Sequence, residues 1–136
     1  MSITINILLV DDVENSRELL RAALLACIHQ NKVEIHANFF HASTGKSIPE
    51  QINFHHINLV YLDIELPHTS GLDVLKQIRQ VMPKIMVVMV SGESSAANVS
   101  SAIENGANGF IVKPFNSGRI SDSLQNYLRK VKKCIV

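Results

Sequence analysis

The chain of 136 residues has no tryptophan, only two cysteines, four prolines and six glycines, and just 5% of it is aromatic. Cys27 and Cys134 are too few for a disulfide framework and lack the spacing of a metal site. Cys27 falls in a helical apolar pattern and is expected to be a core thiol, ordinary in a reducing cytoplasm. Charge of one sign is also missing. Thirteen Lys and Arg face twelve Asp and Glu, a formal net charge of +1, so electrostatics give no case for nucleic acid or a membrane surface as main partner. No apolar run approaches the roughly 20 residues that span a bilayer. The start, Met1 to Val10, lacks a basic n-region and runs into an acidic pair, so it reads as a strand rather than a signal peptide. The tail Lys132-Lys-Cys-Ile-Val136 puts its cysteine one residue too near the end for a prenylation box. The six histidines, including the adjacent His55 and His56, lack zinc-site spacing. No glycine-rich loop follows the first strand, which argues against a dinucleotide or a P-loop nucleotide. A cytoplasmic protein is expected.

What is present is a core. Hydrophobic residues make up 46% and charged residues 18% of the chain, values of a globular protein. The length predicts one domain, residues 1–136 with a core from about 5 to 131, and no output domain.

Five strands alternate with helical patterns. The first strand runs from Ile3 to Val10, and Asn15-Ser-Arg-Glu18 resembles a capping box for a helix carrying Leu20, Leu24 and Ile28 to about Asn31. A second strand spans Val33 to Phe40. The segment from Gly45 to Asn53 holds at most one short helix, with Pro49 confined to its first turn. A third strand, Ile57 to Asp63, is nearly all apolar, as a strand covered on both faces should be, and Pro67 prevents its continuation. Ser70-Gly-Leu-Asp73 resembles a helix start; Leu72, Leu75, Ile78 and Met82 mark its inner face and Pro83 closes it. Ile85 to Val90 is a fourth strand ending at Ser91-Gly92. Ser94 or Ser95 is placed to cap a helix through Ala96, Val99, Ala102 and Ile103, with Gly106 as its stop. Gly109 to Lys113 forms the fifth strand, stopped by Pro114. The last helix turns Ile120, Leu124, Leu128 and Val131 inward and Arg119, Arg129, Lys130 and Lys132 mostly outward. Met82, Met86 and Met89 read as core filling. Such alternation predicts a parallel sheet between two layers of helices, wound by right-handed crossovers.

Four strands end in reactive groups: Asp11 and Asp12, Asp63, Ser91, and Lys113. A parallel sheet brings all its carboxyl ends to one edge, where open α/β sheets bind ligands. Three carboxylates there repel one another unless protons or a cation sit among them. Hard oxygen ligands with room for water suit Mg²⁺, which shares itself readily with a phosphoryl group. Lys113 can neutralise a phosphoryl oxygen and Ser91 can donate to another, leaving one carboxylate as nucleophile.

Taken together, Asp11-Asp12, Asp63 with Leu66-Pro67 and Gly71, Ser91-Gly92, and Phe110-Ile-Val-Lys113-Pro-Phe115 resemble the receiver domain of two-component response regulators. The resemblance covers about Ile5 to Val131. It implies a flavodoxin-like, five-stranded doubly wound parallel sheet in strand order 2-1-3-4-5. It implies that Asp63 accepts a phosphoryl group from a histidine kinase or a histidine phosphotransfer protein. Asp12 would hold Mg²⁺ (or Mn²⁺ in its place) directly, Asp11 largely through water, and the Glu65 backbone carbonyl would add a ligand. Ser91 and Lys113 would bind the phosphoryl group, and Phe110 would turn inward as Ser91 moves, remodelling the face of the fourth helix, fifth strand and fifth helix for a downstream protein. The implied protein is a switch, monomeric or weakly dimeric, that catalyses only its own phosphorylation and slow hydrolysis.

Some positions depart from the family pattern. Glutamates stand at 65 and 93, the second residue after the phosphoacceptor and after Ser91, where they are expected to alter access of the attacking water. Phe110 lacks a tyrosine hydroxyl, so a switch there relies on packing. Asn108-Gly109 replaces an acidic pair found in regulators with winged-helix outputs, which argues against their charge-paired dimer. Two other functions remain: a haloacid-dehalogenase-like phosphatase, whose nucleophile lies on an early strand in an Asp-x-Asp motif, and a receiver that acts only as a binding module.

Overall fold

The computed structural model describes residues 2–93 and 96–135, with the side chains of Ala96 and of residues 132–135 left aside. Five strands, β1 (Ser2–Val10), β2 (Glu34–Ala42), β3 (Leu59–Asp63), β4 (Met86–Ser91) and β5 (Gly109–Val112), form one sheet in the order β2-β1-β3-β4-β5. All four pairings are parallel, as expected for strands joined by crossover helices. The helices are α1 (Glu14–His29), α2 (Ile48–Phe54), α3 (Gly71–Val81), α4 (Ala96–Glu104) and α5 (Ser117–Ile135).

Strand alternation divides the core into two layers. On one face Ile5, Ile7 and Leu9 of β1, Leu59 and Tyr61 of β3 and Val88 and Val90 of β4 meet Leu20, Leu24 and Ile28 of α1 and Ile120, Leu124 and Leu128 of α5. On the other, Leu8, Val10, Val60, Leu62, Val87 and Met89 meet Ile48 and Ile52 of α2, Val74, Leu75 and Ile78 of α3, and Ala102 of α4. Every residue of β3 and β4 is buried, which explains why these strands are apolar runs rather than alternating ones. The chain reverses direction across the sheet between β1 and β3, with α1 on one face and α2 on the other. A crevice opens at the carboxyl edge at such a point.

Local chemistry corrects several sequence-based boundaries. Helix α1 starts at Glu14 behind Val13, which makes no side-chain cap, so Asn15-Ser-Arg-Glu18 is not a capping box. The turn is instead fixed from outside the helix, because Asp11 Oδ1 accepts from the Val13 amide at 2.9 Å. Strand β2 extends to Ala42, where the Ala42 carbonyl accepts from the Asp11 amide at 3.0 Å, and β5 ends at Val112, one residue before Lys113. The inner face of α3 includes Val74, while Leu72 and Met82 are half-buried; Ile103 of α4 is exposed. Lys130 is half-buried, and its Nζ donates to the Lys84 carbonyl at 2.6 Å. Ser70 caps α3 as expected, accepting from the Leu72 amide at 3.2 Å, Pro49 sits in the first turn of α2, and Cys27 is buried. The expected caps Ser94 and Ser95 and the side chains of Ala96, Lys132 and Cys134 lie outside the described residues.

Two polar ties hold the layers. Tyr61 of β3 and Ser123 of α5 share a buried hydrogen bond of 2.7 Å, and Ser123 Oγ also donates to the Ile120 carbonyl at 2.7 Å. Arg79 at the end of α3 donates to the carbonyls of Met82, Ile85 and Gly106 and to Asn108 Oδ1, clamping the approach to β5. Asn108 Oδ1 also accepts from the Val87 amide at 2.9 Å.

Gly71 decides how closely α3 can follow β3. A Cβ on Gly71 would lie 2.0 Å from the Asp63 carbonyl oxygen and 2.7 Å from Ile64 Cα, and both neighbours are backbone. The Gly71 amide donates to the Ile64 carbonyl at 2.8 Å, so the contact is bonded in place. Replacing Gly71 with alanine is expected to cost about 1–3 kcal/mol, towards the upper end because backbone cannot rotate aside. A urea unfolding midpoint equal to that of the wild type would refute this.

Candidate functional site

Sheet register alone puts the strand-end residues side by side. Val10 pairs with Leu62, so Asp11 and Asp63 follow on neighbouring strands at the same level. Asp63 pairs with Val90, and Ser91 pairs with Val112, which brings Ser91 beside Asp63 and Lys113 beside Ser91. The Lys113 amide donates to the Ser91 carbonyl at 2.8 Å, extending the pairing one step past the strand, and the Lys113–Pro114 peptide is cis.

Lys113 is the electrostatic centre. Its Nζ donates to Asp11 Oδ2 at 2.8 Å and to Asp63 Oδ2 at 2.9 Å. Asp11 and Asp63 are 6% and 3% exposed, so neither charge could persist there without a cation. Each carboxylate also uses its second oxygen: Asp11 Oδ1 takes the Val13 amide, and Asp63 Oδ1 takes the Glu65 amide at 3.0 Å. Burial works against the Lys113 ammonium, but hydrogen bonds to Asp11 and Asp63 outweigh it and raise its pKa. Burial opposes ionisation of Asp11 too, yet hydrogen bonds from Lys113, Val13 and Ser16 hold its carboxyl below the usual value. Asp63 goes the other way. Burial, only partly offset by Lys113 and reinforced by the negative charge of Asp11, pushes it up to about 6. One ammonium between two carboxylates stabilises one anion fully and the second incompletely.

Ser91 is fully buried and engaged. Its hydroxyl faces both oxygens of the Glu65 carboxylate, at 2.8 and 3.0 Å, and the Gly92 amide donates to Glu65 Oε1 at 3.0 Å. The Glu93 amide donates to Ser91 Oγ at 3.0 Å. Glu65 therefore acts at both ends: its backbone holds Asp63 and its side chain holds Ser91.

The donor set suits a hard divalent cation. One carboxylate oxygen from each of Asp11, Asp12 and Asp63 lies within 4.8 Å of the others, and Asp12 is exposed, so a cation could keep water on its outer side. The Glu65 carbonyl belongs to the loop directly after Asp63. Phe110, paired with Met89, is half-buried against the layer formed by α2, α3 and α4.

Three features of the site carry no signature in the sequence. Arg17 in α1 donates through Nη1 to the Asp11 carbonyl and through Nε to His41 Nδ1 at 3.3 Å, tying the acidic loop to β2. The Glu65 side chain grips Ser91. Arg79 positions the entry to β5. None has a periodic signature; each depends on which loops face one another.

An acidic pocket closed by a lysine, at the switch point of a parallel sheet with order 2-1-3-4-5, defines a flavodoxin-like protein whose acidic cluster could hold a metal ion. Comparison with known proteins narrows this. Residues 7–125 match the family described as response regulator receiver domain, and the chain belongs to that family. It is 32% identical over 122 residues to the chemotaxis protein CheY of Bacillus subtilis, covering 90% of this chain and 96% of that protein. It is 30% identical over 90 residues to the regulatory protein LuxO of Vibrio cholerae, covering 66% of this chain and 20% of that protein. Among solved structures it resembles the receiver domain of NtrX from Brucella abortus, with 32% identity, a TM-score of 0.76, and coverage of 90% of this chain and 98% of that one. Family membership supersedes the phosphatase alternative. Among the described residues, no helix is long and apolar enough to cross a membrane.

The upward shift of Asp63 makes a pH-dependent prediction for the cation-free protein. Asp63 binds its proton more tightly folded than unfolded, near 6 against 3.8. Its stability contribution is therefore complete below the unfolded value and lost as pH rises through about 6. Asp63→Asn, neutral at every pH, should exceed the wild type in stability by up to about 3 kcal/mol near pH 7.5 in EDTA, with the gap narrowing to roughly 1 kcal/mol by about pH 4.5. Denaturant unfolding at the two pH values checks this; a gap that widened on acidification would reverse the assignment.

Proposed function

We propose that the chain is a phosphoacceptor switch in a phosphorelay, taking a phosphoryl group from a phosphohistidine onto Asp63. The observation that carries the reading is the convergence of Asp11, Asp63 and Lys113, 2.8 and 2.9 Å apart, beside a buried Ser91 at one sheet edge. The donor would be a histidine kinase or a histidine phosphotransfer protein. An Asp63 oxygen attacks phosphorus, the P–N bond breaks, and the electron pair returns to the imidazole nitrogen, which takes up a proton. No proton need leave Asp63, because above about pH 6 it is already a carboxylate.

Mg²⁺, or Mn²⁺ in its place, would be held by Asp11, Asp12 and Asp63 with the Glu65 carbonyl, and when bound supplies positive charge against the phosphoryl oxygens. Lys113 turns from the carboxylate pair to one phosphoryl oxygen, which is where a third negative charge most needs a donor. Ser91 donates to another. Its movement towards the phosphoryl group frees space that Phe110 enters, altering the face made by α4, β5 and α5, where Ile103 and Val112 are already exposed. That face would meet a downstream protein. The chain is thus a signalling switch, catalytic only towards its own modification. Glu65 and Glu93 flank Ser91 and would set the lifetime of the acyl phosphate through access of water.

Intact mass after incubation with acetyl phosphate and Mg²⁺ should show one added phosphoryl group, absent with Asp63→Asn and with EDTA. An unmodified wild type that also fails to respond to beryllofluoride would leave only the binding-module reading. Autodephosphorylation of the Glu65→Ala and Glu93→Ala variants should differ from the wild type; equal rates in both would remove these residues as lifetime determinants.

A further inference from the structure

Glu65 does something that neither a metal-binding loop nor a lifetime-tuning position requires. Its carboxylate takes the Ser91 hydroxyl on both oxygens and the Gly92 amide on one, at 2.8, 3.0 and 3.0 Å. Ser91 Oγ and the Gly92 amide form a small anion cradle. The hydroxyl is fully buried, the amide is its chain neighbour, and both point at one planar anion. Strand pairing sets this cradle beside Asp63, so an anion attached to Asp63 has the same donors within reach. A carboxylate and one edge of a phosphoryl group present equivalent pairs of acceptor oxygens. They cannot both occupy the cradle.

We propose that the Glu65 side chain is a built-in competitor that occupies the phosphoryl-oxygen cradle of Ser91 and Gly92 in the resting state. It must swing out before Asp63 can be modified. This rests on the phosphoacceptor reading for its consequence, but the cradle and its occupant are features of the resting protein. The exit route is open: Glu65 is solvent-exposed, lies on the loop between β3 and α3, and stays anchored by its own amide on Asp63 Oδ1 at 3.0 Å. Displacement can therefore be a side-chain rotation that leaves the Asp63 carboxylate held. No bond is made or broken; one anion replaces another on the same donors.

Two consequences separate this role from water gating. Competition weakens capture of any phosphoryl-like anion, whereas gating of hydrolysis changes only the rate at which a bound group is lost. The resting state also has Ser91 fixed by Glu65, so Ser91 would be released to move only after the exchange, which couples Phe110 to the departure of Glu65 as well as to the arrival of phosphate.

The test is the dissociation constant of beryllofluoride with Mg²⁺, read from the Gly92 amide resonance of the full chain, for wild type, Glu65→Gln and Glu65→Ala. Removing the competing anion should tighten binding by roughly tenfold in both variants, the scale of one charge-assisted hydrogen bond. Equal or weaker binding in both variants would overturn the proposal. Should beryllofluoride leave all three proteins unperturbed, the phosphoacceptor reading fails, and the competitor is judged on the resting proteins alone. There the Gly92 amide should exchange with solvent several-fold faster in Glu65→Ala than in the wild type at equal global stability. Unchanged exchange and an unchanged Gly92 shift would show that the carboxylate does not occupy the cradle.

Discussion

The structure turns on a single ammonium group. Parallel pairing of β1 with β3 forces Asp11 and Asp63 to the same level on adjacent strands, and both are nearly sealed from water. Left alone, that geometry would put two like charges in a poorly solvated crevice, at a cost of several kcal/mol. Lys113 reaches both at hydrogen-bond distance from just past the end of β5, two places from β3 and three from β1 in the sheet. The pairing of β5 with β4 thus stabilises a site built by β1 and β3. The order of the strands and the chemistry of the site are one constraint.

Around that centre the anion-binding groups divide into two sets. Lys113, with the amides of Val13 and Glu65, serves the carboxylates of the crevice, while Ser91 and Gly92 serve the carboxylate of Glu65. Lys113, the Val13 and Glu65 amides, the Ser91 hydroxyl and the Gly92 amide therefore each already have an anion. An anion-binding site is most responsive when its donors are held in place by exchangeable partners, since the donors are oriented in advance and only the partner moves. Oriented donors also explain the tight packing of α3 on the Asp63 loop: Gly71 lets the backbone close down, and the closed loop aims the Glu65 amide at Asp63.

The supporting interactions lie outside the crevice but fix it. Arg17 ties the loop after β1 to the helix that follows and to β2, and Arg79 ties α3 to the approach of β5 through Gly106 and Asn108. Gly106 sits at φ 95°, a conformation that favours glycine and presents its carbonyl to the guanidinium. Tyr61 and Ser123 join the central strand to α5 inside the apolar layer, and burial raises the Tyr61 pKa, so the hydroxyl stays protonated. These ties join the strands to the helices and loops packed on them.

Much of this was legible in the chain itself. Short apolar runs bounded by acids, glycines and prolines identify five strands, and the intervening helical spacing requires crossovers, which in turn require a parallel sheet. Asp11, Asp12, Asp63, Ser91 and Lys113 all fall at strand ends, and parallel strands share one edge, so their convergence follows from local pattern and topology together. Tertiary structure decided what local pattern cannot encode. The start of α1 was fixed by Asp11 in place of a capping box, because a side chain before the helix reached the amide first. Glu65 sits 26 residues from Ser91, and Arg79 sits 27 from Gly106, yet each pair is in direct contact. Such contacts arise only when packed elements bring separate loops face to face. Local pattern and topology set which groups arrive at the edge of the sheet; their division into a lysine-bridged pair and a glutamate-filled cradle came from distances that only the folded chain sets.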